Sequence, residues 1–328
     1  MSKRPPIRIF DEWRIKKTMT DRLALKSAER AFRALGRGVA TVPAPLSWDF
    51  PKVNGEVHIK GARLHSSELF TFKVATGFYG NVELGIPTGA GFVLIFDAST
   101  GFPRGILADN GYLTDLRTAA AGALAASYLT EEKPLSVAIL GSGVQGQLQY
   151  RLLQLVREIA SIRVWSRTPP RAQRWRSILH EAGRTDARAF EEVSDAVEEA
   201  DLVITATPSR SPILHAGMLK PGATVIAVGS DGEGKQEVDS TLVAGADKLV
   251  TDLTAQCVRL GELQHAVKDG LMSTGNVYSE LGAIVLERVP GRESDEAIVC
   301  DLTGVGAQDA AIGELAFIEL AGEDDRGS

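Results

Sequence analysis

Several things are scarce in this sequence, and each scarcity excludes something. Two cysteines, Cys257 and Cys300, occur without a CxxC pair. Neither a disulfide framework nor a zinc site follows from them. The histidines (His58, His65, His180, His215 and His265) show no HExxH spacing, so no metal site is expected. No run of about 18 apolar residues exists to span a membrane. The basic start Met1-Ser-Lys-Arg-Pro-Pro6 leads into no apolar stretch and does not read as a signal peptide, so a cytoplasmic protein is expected. Positive charge is short as well: 36 Lys and Arg face 42 Asp and Glu, a formal net charge of −6. The arginines are also dispersed. This balance argues against a nucleic-acid or anionic-membrane partner. Internal repeats and low-complexity tracts are lacking too.

What is present suits a globular chain. Hydrophobic residues make up 44% and charged residues 24% of the 328 positions, a length that suggests about two domains. Ile7-Arg-Ile-Phe10 reads as a short strand in an otherwise irregular start. Thr20–Leu35 reads as a helix with an apolar stripe at Leu23, Ala24, Ala28, Ala31, Phe32 and Leu35, capped by Thr20 or Asp21 and ended by Gly36. The period then changes. Val57–Lys60, Phe70–Val74 and Gly91–Asp97 are β-type runs separated by Pro- and Gly-rich turns. An antiparallel sheet beside one helix is the simplest arrangement. Leu116–Leu129 is an alanine-rich helix, broken by Glu131-Glu-Lys-Pro134. The boundary is placed there: residues 1–132 form one domain and 133–304 the next.

From residue 135 strands and helices alternate. Strands are expected at 135–140, 161–165, 202–206, 224–228 and 247–251, with helices at about 145–159, 169–182, 192–199 and 240–245. Gly261–Lys268 looks helical, Ala297–Asp301 looks like a last strand, and Gly304–Leu320 reads as a closing helix before a polar, frayed tail. The alternation predicts an α/β fold, a Rossmann-type doubly wound parallel sheet, beside a smaller α+β domain.

The stretch Leu135-Ser-Val-Ala-Ile-Leu-Gly-Ser-Gly-Val-Gln-Gly-Gln-Leu-Gln-Tyr150 organises the rest. A GxGxxG is weak evidence by itself, but here a strand precedes it and a helix follows it. Gly141 permits the turn, Gly143 lets backbone approach a pyrophosphate, and Gly146 allows close helix–strand packing. Val144 and Gln145 complete the loop. About 20 residues on, an acidic residue selects NAD and an Arg accommodates the 2′-phosphate of NADP. That place falls on Arg167, between Ser166 and Thr168, with no Asp or Glu beside it. NADP(H) is therefore expected over NAD(H), which stays possible. Thr205 and Thr207 end a later strand and are placed near the nicotinamide ribose. Gly229, Ser230 and Asp231 end the next one. Asp231 could act as a general acid or base, or simply bond its own turn; pattern alone leaves both open.

Lys60 and Lys73 sit in apolar strands. Such lysines usually face water, and the pattern favours that for each; an inward ammonium would instead bind a carboxylate. Arg117 opens the alanine-rich helix, where a cation opposes the helix dipole unless an anion is near. Thr118 follows it as a further candidate cofactor contact. His215 and His265 show no partner in the sequence, and structural or surface roles are their default.

Four motifs in order resemble the ornithine cyclodeaminase/μ-crystallin family: Leu116-Arg-Thr-Ala-Ala-Ala121, Gly141–Gly146, Gly229-Ser-Asp-Gly-Glu-Gly-Lys-Gln-Glu-Val-Asp239 and Asp301-Leu-Thr-Gly-Val-Gly-Ala-Gln-Asp309. The resemblance covers about residues 20–320. Asp109–Gly122 looks most like the ectoine-utilisation branch, and archaeal alanine dehydrogenase and bacterial iminosuccinate reductase carry a similar Asp-Gly-x-Gly-Lys-Gln-Glu loop. The resemblance implies a homodimer whose first domain holds the substrate pocket and subunit contact, completed by the C-terminal helix 305–322. It implies a small amino or imino acid substrate. Lys73 matches a lysine on the substrate carboxylate, Arg117 an arginine shared by substrate and cofactor, Thr88 a cofactor-contacting threonine, and Asp231 the catalytic aspartate.

Two departures bear on the substrate. Cyclodeaminases of the family carry a carboxylate-gripping Arg before the first pocket strand, and Pro45-Leu-Ser-Trp-Asp49 has none. They also hold the distal amino group of ornithine with a Glu, whose place falls here on Lys60, or on His58 two residues earlier on the same face. A cation there suits an anionic group better than a diamino acid. The sequence therefore points to NAD(P)H-dependent reduction of an imino acid, with ammonia-eliminating cyclisation and a non-enzymic, μ-crystallin-type binding protein as alternatives.

Overall fold

The computed structural model describes residues 5–327. They fall into two units, one running to Arg117 and resuming at Val305, the other Thr118–Gly304.

Seven strands make the sheet of the first unit: β1 (Arg8–Asp11), β2 (Ala40–Thr41), β3 (Leu46–Phe50), β4 (Gly55–Leu64), β5 (Leu69–Phe78), β6 (Gly89–Asp97) and β7 (Pro103–Ala108). Their order is β1-β7-β6-β5-β4-β2, with β3 also on β4. Only β1 and β7 run parallel among these pairs. Side chains alternate between the faces of each strand. The register therefore lines up Lys60, Lys73, Val93 and Leu107 across the inner face. That face is covered by the C-terminal helix (Gly306–Gly327), against which α2 (Asp21–Gly36) packs. The Thr20 hydroxyl accepts the Leu23 N–H at 3.3 Å and caps α2. Ala24, Ala28, Ala31 and Phe32 form its buried stripe, as their spacing predicts. A Cβ on Gly306 would lie 2.5 Å from the Gly61 carbonyl oxygen. Only glycine lets this helix begin so close to β4.

The N-terminal segment is more regular than expected. Residues 12–18 form α1 (Glu12–Thr18), capped by the Asp11 carboxylate, which accepts the Arg14 N–H at 2.9 Å. β3 and β7 were not evident from the sequence, because neither alternates cleanly between apolar and polar residues. The expected frayed tail is corrected as well: the last helix runs on to Gly327. Arg8 reaches Asp325 at 2.8 Å and Arg14 reaches Asp324 at 2.5 Å, which neutralises the acidic final turns. Ser328 lies outside the described residues. On the outer face, Leu46, Trp48, Phe50, Phe72 and Phe92 share one side of the sheet and are 38–59% exposed.

The second unit is a fully parallel eight-stranded sheet. Its strands are β8 (Leu135–Leu140), β9 (Ile159–Trp165), β10 (Arg188–Phe190), β11 (Leu202–Thr205), β13 (Thr224–Ala227), β15 (Lys248–Thr251), β16 (Ser279–Glu280) and β17 (Ile298–Asp301), in the order β10-β9-β8-β11-β13-β17-β15-β16. A separate parallel pair joins β12 (Arg210–Leu214) to β14 (Gln236–Val238). The last strand inserts between β13 and β15 rather than adding at an edge. Helices α4 (Val144–Leu153), α5 (Pro169–Glu181), α6 (Val193–Val197), α7 (Ser240–Gly245), α8 (Thr254–Leu260), α9 (Leu263–Lys268) and α10 (Leu281–Val285) connect the strands. The alanine-rich helix α3 (Tyr112–Leu129) runs through the division at Arg117/Thr118, upstream of the expected 132/133 boundary. Past Thr118 its small residues pack within the second unit. A Cβ on Gly122 would meet Gln149 Oε1 at 2.1 Å, and Gln149 donates to the Thr118 carbonyl at 3.2 Å.

Candidate active site

In the second unit the glycine loop has the geometry its spacing predicts. Gly141 adopts a φ of +123°, and a Cβ there would strike the Ala206 carbonyl oxygen at 2.4 Å. A Cβ on Gly146 would lie 1.9 Å from the Gly141 oxygen, so helix and turn can approach only if both residues are glycine. Gly143 differs: a Cβ there meets nothing within 4 Å. It is the N-cap of α4 and offers no side chain to the first N–H groups, which therefore remain available to an anion. Val144, the first residue of α4, is 62% exposed, and Gln145 follows it. Gly141, Gly143, Ser166, Arg167, Thr168 and Thr207 line a cavity of about 190 Å³ at the carboxyl ends of β8, β9 and β11. Ligands of open α/β sheets bind at that edge. Arg171, on the first turn of α5, joins Arg167 there, a second cation that the 20-residue rule did not find. Room for a phosphate-bearing chain, bare N–H groups and two guanidinium groups fit a dinucleotide.

The remaining crevice residues divide by where their side chains turn. Thr205 is fully buried and donates its hydroxyl to Glu237 Oε2 at 2.7 Å. Ser230 turns its hydroxyl inward to the Lys235 carbonyl at 2.8 Å. Thr118 is known here by its carbonyl, which accepts from Gln149. Asp231 is 44% exposed at its side chain and forms an ion pair with the buried Lys235 at 2.8 Å. His265 has a partner after all: its Nε2 lies 2.8 Å from the Lys235 carbonyl, on the same loop. His215 lies 3.4 Å from Asp239.

In the first unit the strand lysines do not face water. Lys60 is 6% and Lys73 3% exposed, although the strand pattern alone favoured solvation for each. The two are directly opposite in the β4–β5 register, where like charges repel. The carboxylate of Asp309, on the first turn of the C-terminal helix, relieves this. Its Oδ1 lies 3.0 Å from Lys73 Nζ and 3.0 Å from Arg117 Nε. Arg117 also donates to Gln308 Oε1 at 3.2 Å. Burial alone would raise the pKa of Asp309, but the charges of Lys73, Arg117 and Lys60 hold it below the usual carboxylate range. Burial lowers Lys73 to about 8, helped by Arg117 and Lys60 and opposed by Asp309. Asp109, also buried, is pushed up to about 6 by desolvation, while its Oδ2 accepts the Leu113 N–H at 2.7 Å. Lys60, Lys73 and Arg117 are thus buried around the Asp309 carboxylate, which their charges hold ionised, and Asp109 adds a second carboxyl group within reach of the Lys73 charge. Asp309 Oδ2 and Gln308 Nε2 are buried with no hydrogen-bond partner among the described residues.

His58 continues the same face of β4. Its Nδ1 is 3.0 Å from Ser47 Oγ, and its Nε2 is 3.6 Å from Glu56 Oε1. Glu56 accepts the Tyr79 hydroxyl at 2.6 Å. Thr88 lies just before β6, where its carbonyl accepts the Phe78 N–H at 2.7 Å. Lys60, Lys73 and Arg117 are therefore brought together, and His58 extends their row. Asp309, Gln308, Glu56 and Glu237 received no role from the sequence. The motif Asp301–Asp309 contained the first two, but nothing in its pattern said which side chain would turn inward.

The family pattern of the ornithine cyclodeaminase/mu-crystallin family matches residues 10–319. An uncharacterized cyclodeaminase of Sinorhizobium fredii is 39% identical over 95% of this chain and 96% of its own. The solved iminosuccinate reductase of Paracoccus denitrificans, in complex with NAD+, superposes with a TM-score of 0.88 at 31% identity, covering 97% of each chain. An archaeal alanine dehydrogenase, solved as a dimer with bound NAD, gives 0.89 at 28% identity, again over 97% of each chain. With a nicotinamide cofactor on both solved relatives and the family pattern spanning both units, the chain belongs to the ornithine cyclodeaminase/mu-crystallin family.

Proposed function

We propose that this protein reduces a small imino acid to the amino acid with NAD(P)H. The observation that carries the reading is the pairing of Lys60 and Lys73 on one buried face, with Arg117 gathered to Lys73 through Asp309. Ammonium and guanidinium groups brought together inside a protein are suited to hold a substrate carboxylate. Lys73 and Arg117 hold the carboxylate next to the imine carbon. Lys60, with His58 beyond it, takes a second carboxylate or other anionic group. When bound, the nicotinamide supplies the hydride; Asp231, ion-paired with Lys235, exchanges the proton of the nitrogen. Holding the substrate by one end supplies orientation, which is a large part of such a rate.

Ammonia-eliminating cyclisation is the second reading, and Glu56 favours it. It lies on the Lys60 face of β4 and could accept a distal ammonium, although its carboxylate already accepts from Tyr79. The test follows NADH and NADPH oxidation with pyruvate, oxaloacetate and glyoxylate, each with ammonia and with methylamine. Net oxidation is expected, strongest with the dicarboxylate, and Lys60→Met should remove that preference. Ammonia release from ornithine or diaminobutyrate without net oxidation would select cyclisation instead.

For the cofactor, the Ser166-Arg167-Thr168 turn, reinforced by Arg171, supports NADP(H) over NAD(H). Arg167→Asp should raise the KM for NADPH by tenfold or more and leave that for NADH within a few-fold. An unchanged NADPH preference would refute the assignment. For assembly, the apolar outer face of the first sheet supports a homodimer formed by two copies of this chain, as in the dimeric alanine dehydrogenase relative. Trp48→Glu combined with Phe72→Glu should give monomers in sedimentation analysis, whereas a dimer surviving both changes would place the interface elsewhere.

A further inference from the structure

β11 and β13 end side by side at Thr205 and Ala227, and the chain beyond β11 lines the crevice at Ala206, Thr207, Pro208 and Ser209. One fully buried side chain, Glu237 on β14, ties the two together. Its Oε2 accepts the Thr205 hydroxyl at 2.7 Å and the Gly229 N–H at 2.8 Å; its Oε1 accepts the Thr207 N–H at 2.6 Å. The approach is close enough that a Cβ on Gly229 would lie 2.4 Å from Oε2. β14 is itself fixed from behind by Glu262, whose carboxylate accepts the N–H of Glu237 at 2.9 Å and of Val238 at 3.2 Å.

We propose that Glu237 is a positioning residue for the dinucleotide, its carboxylate holding the 205–207 and 229 segments at the spacing the cofactor requires. The proposal rests on the crevice being the cofactor site. Its logic is a count of donors. Four donors converge on the group, the Thr205 and Thr207 hydroxyls and the Thr207 and Gly229 N–H groups, and the two backbone donors cannot turn away. An ionised carboxylate only accepts, so it satisfies all four. A protonated acid or a glutamine presents hydrogen at one of its ends, and at least one donor then meets a donor. An unmet buried bond and a displaced loop follow.

The charged groups around Glu237 sharpen this. Glu262 faces it from the start of α9, Asp301 from β17 stands beyond Glu262, and Lys235 and Asp231 lie on the loop leading into β14. Burial raises Glu237 to about 7, against the hydrogen bonds from Thr207, Thr205 and Gly229 that favour its ionised form. Burial likewise raises Asp301 to about 7, and it pushes Glu262 well above the usual carboxylate range, helped by the charges of Glu237 and Asp301. Cofactor binding favours the ionised form of Glu237, so affinity is full above this range and falls as pH drops through it.

The test measures the Kd of NADH and NADPH by fluorescence from pH 8.5 to 6 in wild type and Glu237→Gln, with kcat at saturating cofactor. The variant should bind at least tenfold more weakly at pH 8, keep kcat within about threefold, and lose the part of the pH dependence present in wild type. A variant that binds within twofold of wild type, with the same pH profile, overturns the proposal. Should Glu237→Gln not fold, Thr205→Val removes one of the four donors. It should weaken binding severalfold, and an unchanged Kd overturns the proposal equally. A wild-type protein that binds neither cofactor would instead sink the underlying reading of the crevice.

Discussion

The Asp309 carboxylate is the contact on which the substrate side of the first unit depends. It joins the C-terminal helix to β5 through Lys73 and to the start of α3 through Arg117, all three side chains buried. Without it, two lysines paired across β4 and β5 would repel at close range. Removing one partner of such a buried pair typically costs about 3–5 kcal/mol, because the remaining charge is left uncompensated. The same cluster that holds the unit together gathers the cations that we propose bind a carboxylate substrate. This constraint also explains why the chain must return. Asp309 lies about 190 residues after Arg117 in sequence, and only a helix docked back onto the first sheet can deliver it there.

Much of the second unit was legible because its signals are local. The Gly141–Gly146 turn needs only neighbouring backbone to explain it, and the strand–helix alternation predicts the parallel sheet. Missing elements were those without a local signature: the short edge strand β10, the β12–β14 pair, and the placement of β17 inside the sheet. The first unit was less legible. Lys60 and Lys73 each read as solvated in isolation, since burial of a lysine depends on a partner distant in the chain. That partner, Asp309, sits in a stretch whose composition is mostly small and apolar. Glu237 was hidden for the same reason: its four donors come from two other strand ends. The tail failed differently, because the arginines that hold it lie at the opposite end of the sequence.

Buried charge is used in opposite ways in the two units. In the first, cations are gathered around the Asp309 carboxylate. In the second, carboxyl groups such as Glu237, Glu262 and Asp301 accept backbone N–H groups, and burial raises the pKa of each. Asp231 stands apart from them, half-exposed and ion-paired, which is why we propose it as the group for proton exchange.

The central claim is that the buried cations exist to bind a carboxylate. The most direct measurement is calorimetric titration of the amino-acid product, or an unreactive 2-oxo acid, into cofactor-saturated wild type and Lys73→Met. Truncating one side of a buried charge pair at a binding site costs about 2–5 kcal/mol, so affinity should fall about thirtyfold or more while the fold and cofactor binding persist. Carboxylate binding within threefold of wild type would contradict the account.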